Sequence, residues 1–135
     1  MACLLDAAPN GFRALAYKSS SIRSLMMRKI ETATQPRDAI LALPLNPLFY
    51  FMANRRNPIV HDWILPGTLD ESTQTAVVKR LKPNPPKIVV LADIPIDGKE
   101  DRRFSHFAGT IHRHLISNFE LWEKIGLFEI LIPIS

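Results

Sequence analysis

The chain has 135 residues, 47% of them hydrophobic and 22% charged, which is the balance of one globular domain. Those proportions exclude a disordered, collagenous or coiled-coil chain. Lys and Arg exceed Asp and Glu by 17 − 13 = 4. Such a surplus favours phosphates or anionic headgroups. No basic stripe interleaved with aromatics points to nucleic acid. Cys3 is the only cysteine, so an internal disulfide and a multi-cysteine zinc site are both excluded.

Residues 1–20 show no clear period and form a poorly defined N-terminal segment, with a turn at Asn10-Gly11. Met1–Gly11 has no basic start, and Asp6 and Pro9 interrupt its apolar run, so it does not read as a signal peptide. Residues 21–135 read as a single α/β domain. Ile22, Leu25, Met26 and Ile30 recur at helical spacing and predict an amphipathic helix over Ser21–Thr32, capped by Ser20 or Ser21. Ala39–Leu43 is a short apolar run that suits a buried strand. Asn46 and Pro47 have the chemistry of an N-cap and a first helical residue. They predict a short helix over Pro47–Arg55, with Arg55 and Arg56 at its carboxyl end.

Ile59–Leu69 has no helical period and reads as an ordered loop with a Pro66-Gly67 turn. Thr68 or Asp70 caps the next helix, Glu71–Leu81. Lys87–Ala92 is the clearest strand, β-branched and apolar throughout. A polar loop follows over Asp93–Asp101, then a helix over Arg102–Ser117. Phe119–Ile125 and Leu127–Ile132 close the chain as a hairpin around Gly126. Alternating helices and strands predict a mainly parallel sheet flanked by helices, with a C-terminal antiparallel hairpin. The longest uncharged stretch, Ala39–Asn54, is broken by Pro44 and Pro47. It is shorter than the roughly 20 apolar residues of a spanning helix.

Two groups carry candidate chemistry. Arg55 and Arg56 lie near Tyr50 and Trp63 in sequence. Guanidinium groups pair bidentately with phosphates and stack on aromatic faces, so these four residues form a candidate phosphate or headgroup site. The alternative is that one arginine is solvated and the other braces the loop through a carboxylate such as Asp62. The second group is Asp93, Asp97 and Asp101, just past a buried strand, where ligands of parallel sheets gather. The alternative there is a solvated, turn-forming loop. His112 and His114 stand two residues apart on a predicted helix and point about 200° apart, so no metal is assigned to them. Neither a glycine-rich phosphate loop nor a nucleophile elbow occurs. No cofactor is implied.

The segment Pro47-Leu-Phe-Tyr-Phe-Met-Ala-Asn-Arg-Arg-Asn-Pro58 is followed by His61-Asp62-Trp63, by Leu65-Pro66-Gly67 and, later, by Pro85-Pro86-Lys87-Ile88-Val89-Val90. In this order, from about Ser21 to Ile134, the chain resembles the C-terminal extramembrane domain of polytopic glycosyltransferases of the dolichyl-phosphate-mannose protein mannosyltransferase and aminoarabinose transferase type. The resemblance implies an extracytoplasmic α/β domain that follows a bundle of membrane helices. It implies a polyprenyl-phosphate sugar as donor. It places the catalytic acid in the membrane part, so no catalytic residue is expected in this chain. The implied partners are the transmembrane region, the lipid-linked sugar and anionic lipid. Two other functions compete. One is a free-standing α/β domain or small enzyme using the loop after residues 87–92. The other is an interaction module whose apolar patch lies on the Ser21–Thr32 face or the Ile59–Leu69 loop.

Overall fold

A computed structural model describes residues 10–44, 48–59, 61, 64–95 and 98–134. In chain order the elements are α1 (Asn10–Ala33), β1 (Ile40–Leu43), α2 (Leu48–Ala53), α3 (Glu71–Leu81), β2 (Ile88–Leu91), a 3₁₀ turn (Glu100–Arg102), α4 (Phe104–Phe107), α5 (Gly109–Asn118), β3 (Phe119–Ile125) and β4 (Phe128–Pro133). Among the described residues the strands form one sheet in the order β1-β2-β4-β3.

The domain is an α/β fold, but its sheet is not mainly parallel. Only β1 and β2 run parallel, with Ile40 opposite Ile88 and Leu43 opposite Leu91. β2 pairs antiparallel with β4, and β4 with β3. The loop Gly126-Leu127 is too short for a crossover, so the last two strands must reverse. β4 then takes the inner position because Ile130 and Leu131 are both buried, whereas β3 buries only its two ends. Gly126 has φ +59, at the loop position where a type II′ turn takes glycine. A Cβ there would come within 2.7 Å of Ile22 Cδ1, so α1 lies directly over the hairpin turn.

Strand alternation divides the core in two. Leu41, Leu43, Val89, Leu91 and Leu131 face α3, α4 and α5, where they meet Val77, Leu81, Phe104, Ile111 and Leu115. Ile40, Ala42, Ile88, Val90 and Ile130 face α1 and α2, where they meet Met26, Ile30, Phe49 and Tyr50. The buried β1 and β2 are apolar on both faces, as strands covered on both sides must be.

Two boundaries differ from expectation, and of the two cap candidates for α3 one is used. α1 starts at Asn10, so Ser20 and Ser21 lie inside it and Asn10-Gly11 opens a helix rather than a turn. Ala14, Leu15, Ala16, Arg13 and Lys18 are strong helix formers, and propensity extends the helix where no apolar period exists. Thr68 does not cap α3. Its hydroxyl closes the Pro66-Gly67 turn against Leu65, and Asp70 caps the helix by accepting the Thr73 N–H at 2.8 Å. That hydrogen bond holds the Asp70 carboxyl below its ordinary pKa. The late helix is broken at Ala108, which has φ −123 and ψ 47.

The break leaves two backbone groups for a side chain to take. Gln74, buried on α3, donates to the Phe107 carbonyl at 3.3 Å and accepts the Thr110 N–H at 3.1 Å. Gln74→Leu would strand both groups in a dry interface, so a loss of about 1–3 kcal/mol is expected. Urea unfolding should show a lower midpoint with an unchanged slope. A midpoint equal to that of the wild type would mean that the α4–α5 break does not depend on Gln74.

Candidate functional site

The predicted Pro47–Arg55 helix is observed as α2, Leu48–Ala53, and Asn46 and Pro47 lie outside the described residues. Its carboxyl end explains what the two arginines do. Asn54 adopts φ 54, a left-handed conformation that asparagine tolerates. The Asn54 N–H then donates to Phe51 O at 3.3 Å, and the Arg55 N–H donates to Tyr50 O at 3.0 Å. This pair of bonds is a Schellman cap, and it reverses the chain sharply after the helix.

The reversal points Arg55 inward. Its Nε donates to Thr34 Oγ1 at 2.8 Å, one terminal nitrogen to Thr34 O at 3.1 Å and the other to Ala53 O at 2.6 Å. Thr34 directly follows α1, and Ala53 ends α2. One guanidinium therefore ties together the carboxyl ends of two helices, where a cation also complements both dipoles. Arg55 is the bracing arginine, and it braces through Thr34 and backbone carbonyls. Asp62 lies outside the described residues.

Arg56 behaves differently. Its N–H donates to Asp38 O at 3.1 Å and its carbonyl accepts from Ile40 N at 3.0 Å, a one-residue parallel bridge on the free edge of β1. Tyr50 closes the same edge: its hydroxyl accepts the Ala42 N–H at 2.7 Å. Unpaired edge groups invite strand addition, and α2 with its cap covers them. Arg56 is thus fixed through its backbone while its side chain is exposed. Tyr50 is buried at 8% exposure and serves the strand edge, and Trp63 lies outside the described residues. The expected quartet is therefore divided, with Arg56 its outward member.

Sequence reasoning missed the neighbours of Arg56. Arg80, in the last turn of α3, donates from Nε to Pro58 O at 2.9 Å. Arg56, Pro58, Arg80 and Asn84 line a cleft of about 220 Å³. On its other side Arg56 lines a second hollow with Pro36, Arg37, Asn54 and Arg55. No periodicity links positions 56 and 80, and only the fold brings them together.

The aspartate group is also divided. Asp93 Oδ1 accepts the Ser105 N–H at 2.8 Å, and its carbonyl accepts from Arg103. It fastens the loop after β2 to the start of α4. Glu100 lies 2.9 Å from Arg103, whose guanidinium holds the Glu100 carboxyl below the usual carboxylate range. Asp101 is exposed on the 3₁₀ turn, and Asp97 lies outside the described residues. Among the described residues no three His, Cys, Asp or Glu side chains form a group that could hold a metal ion. His112 lies edge-on to Phe104 at 6.3 Å, while His114 Nδ1 lies 3.1 Å from the Asn118 amide. Burial, with a smaller contribution from Lys82, lowers the His114 pKa and favours its neutral form.

The apolar surface lies only in part where the sequence places it, since Leu25 of the α1 stripe is 45% exposed. Met26 and Ile30 of the α1 stripe are fully buried against the sheet. Ile59, Ile64 and Leu69 of the loop are buried in the other core layer. Next to α1, α2 exposes Phe51 at 85% and Met52 at 41%. Met52 lines a groove of about 440 Å³ with Arg23, Ser24, Met27, Arg28 and Glu31 of α1. Among the described residues no helix is long and apolar enough to cross a membrane.

No protein-family model matches this chain, and no curated protein or solved structure is significantly similar to it.

Proposed function

We propose that this chain is a non-catalytic, extracytoplasmic docking domain of a membrane glycosyltransferase that uses a polyprenyl-phosphate sugar. It packs on the membrane part and on the surrounding headgroups, beside the acceptor or lipid-phosphate entrance. The observation that carries the docking reading is the α1–α2 face: a phenylalanine 85% exposed, next to a methionine and a groove bearing Arg23 and Arg28. An aromatic ring in water beside cations is the composition of a surface that meets an anionic interface. The glycosyltransferase assignment rests on the order of the Pro47–Pro58, Leu65–Gly67 and Pro85–Val90 segments.

Magnitudes set the test. Transfer of one Phe side chain into an apolar phase is worth about 1.5–3 kcal/mol. Each arginine near an anionic surface adds about 1 kcal/mol. Co-sedimentation with vesicles containing phosphatidylglycerol should therefore weaken at least about tenfold for Phe51→Ser. It should weaken by a similar factor for Arg23→Gln/Arg28→Gln at low salt, a difference that shrinks as salt rises. Ile116→Ser, at a residue 57% exposed on α5, is expected to bind like the wild type. Absence of vesicle binding by the wild type, or an equal loss in Ile116→Ser, would refute the docking face.

A further inference from the structure

We infer that the cleft between Arg56 and Arg80 is a recognition site for a phosphate monoester. The site deepens the docking reading and rests on it only for the source of the phosphate. Its geometry stands alone. Arg56 is held by two backbone hydrogen bonds to the β1 edge, and Arg80 by its Nε bond to Pro58 O. Both residues thereby line one cleft before any ligand arrives, with the Arg80 guanidinium anchored and the Arg56 side chain exposed. The terminal nitrogens of Arg80 and the whole guanidinium of Arg56 make no hydrogen bond or ion pair among the described residues.

Among the described residues the lining is Arg56, Pro58, Arg80 and Asn84, and none of these is a carboxylate. Two like charges on one cleft repel each other, and a bound dianion relieves that repulsion. Guanidinium is the side chain suited to the task, because its planar fork matches two phosphate oxygens at once. The Asn84 amide adds a neutral donor. Arg37, in the adjoining hollow that Arg56 also lines, adds to the positive field.

Size narrows the ligand. Pockets that enclose a whole drug-sized molecule measure about 300–1,000 Å³. The cleft measures about 220 Å³ and takes a phosphoryl group rather than a whole nucleotide or sugar nucleotide. A monoester is preferred to a diester because it offers three terminal oxygens and a second negative charge.

Binding of inorganic phosphate is to be measured by amide NMR titration at constant ionic strength. Vesicles of phosphatidylcholine carrying phosphatidate, a monoester, or phosphatidylglycerol, a diester, form the second arm. Saturable binding of inorganic phosphate or of phosphatidate is expected. Arg56→Gln alone should weaken it by about threefold or more, and Arg56→Gln/Arg80→Gln by at least about tenfold. Arg56→Lys/Arg80→Lys, which keeps charge but loses the fork, should fall in between. Arg56→Gln touches no side-chain contact, so it reports on the site even if the Arg80 change disturbs folding. Binding of inorganic phosphate assigns a free phosphate, whereas a response to phosphatidate alone assigns a headgroup. Phe51→Ser should weaken vesicle binding at least about tenfold and leave inorganic phosphate binding intact, which separates failure of the docking face from failure of the cleft. If neither response depends on Arg56 and Arg80, the site does not exist.

Discussion

Arg55→Ala is expected to lower the unfolding free energy by about 2–4 kcal/mol, whereas Arg56→Ala changes it by less than about 0.5 kcal/mol. The two residues are adjacent and chemically identical, so the difference comes from placement alone. Truncating Arg55 removes three hydrogen bonds and leaves Thr34 Oγ1, Thr34 O and Ala53 O without their donor. Thr34 is only 5% exposed, so water does not readily replace the guanidinium there. Truncating Arg56 leaves its backbone bridge intact. In a thermal melt the Arg55 variant should unfold roughly 6–15 °C earlier. Arg55→Lys recovers little, because one ammonium cannot span three acceptors around a planar fork. An Arg55→Ala protein that melts with the wild type would show that the ends of α1 and α2 are held by something else.

Phe104→Ala is expected to cost about 3–5 kcal/mol. Phe104 is fully buried and lies edge-on to Phe107 at 5.7 Å and to His112 at 6.3 Å. It belongs to the core layer beneath α3, α4 and α5, and it opens α4 where Asp93 receives the Ser105 N–H. Removing the ring leaves a cavity beside the hydrogen bonds that fasten the loop after β2 to the helices. Cooperativity of unfolding should fall along with stability, and near-ultraviolet circular dichroism should weaken. Phe51→Ala provides the contrast: the same side chain, 85% exposed, is expected to leave stability almost unchanged. Similar destabilisation by both substitutions would contradict the assignment of Phe104 to the core and Phe51 to the surface.

Much of the fold was legible from local pattern. β1 and β2 announced themselves as short apolar runs, and α3 as a capped helix ending before Pro83-Asn84-Pro85. The hairpin followed from Gly126. The sheet's polarity was not legible, because a hairpin fixes only the pairing of its own two strands. Whether β3 or β4 then joins β2 depends on which is apolar enough for the inner place. The break at Ala108 was hidden as well, since Phe104, Phe107, Ile111 and Leu115 keep a helical spacing across it. What stabilises the break is Gln74, a buried amide 34 residues upstream of Ala108 with no distinguishing mark in the sequence.

The candidate site was legible in part. The sequence placed the two arginines at a helix end, and the structure agrees. It could not say which turned inward, because that follows from the left-handed Asn54 and the resulting chain reversal. Arg80 was invisible as a partner, since it comes to line the same cleft as Arg56 only through the packing of α3 against the loop around Pro58. Exposure of Phe51 was equally hidden. A six-residue helix with Phe49 and Tyr50 buried must turn another residue outward, and periodicity in so short a run cannot say which.

Amide hydrogen exchange on the wild-type protein, with and without anionic vesicles, tests the docking reading most directly. Vesicles should slow exchange over residues 22–31 and 48–56 and leave α4 and α5 unchanged. Protection centred on α4 and α5, or no protection anywhere, would contradict it.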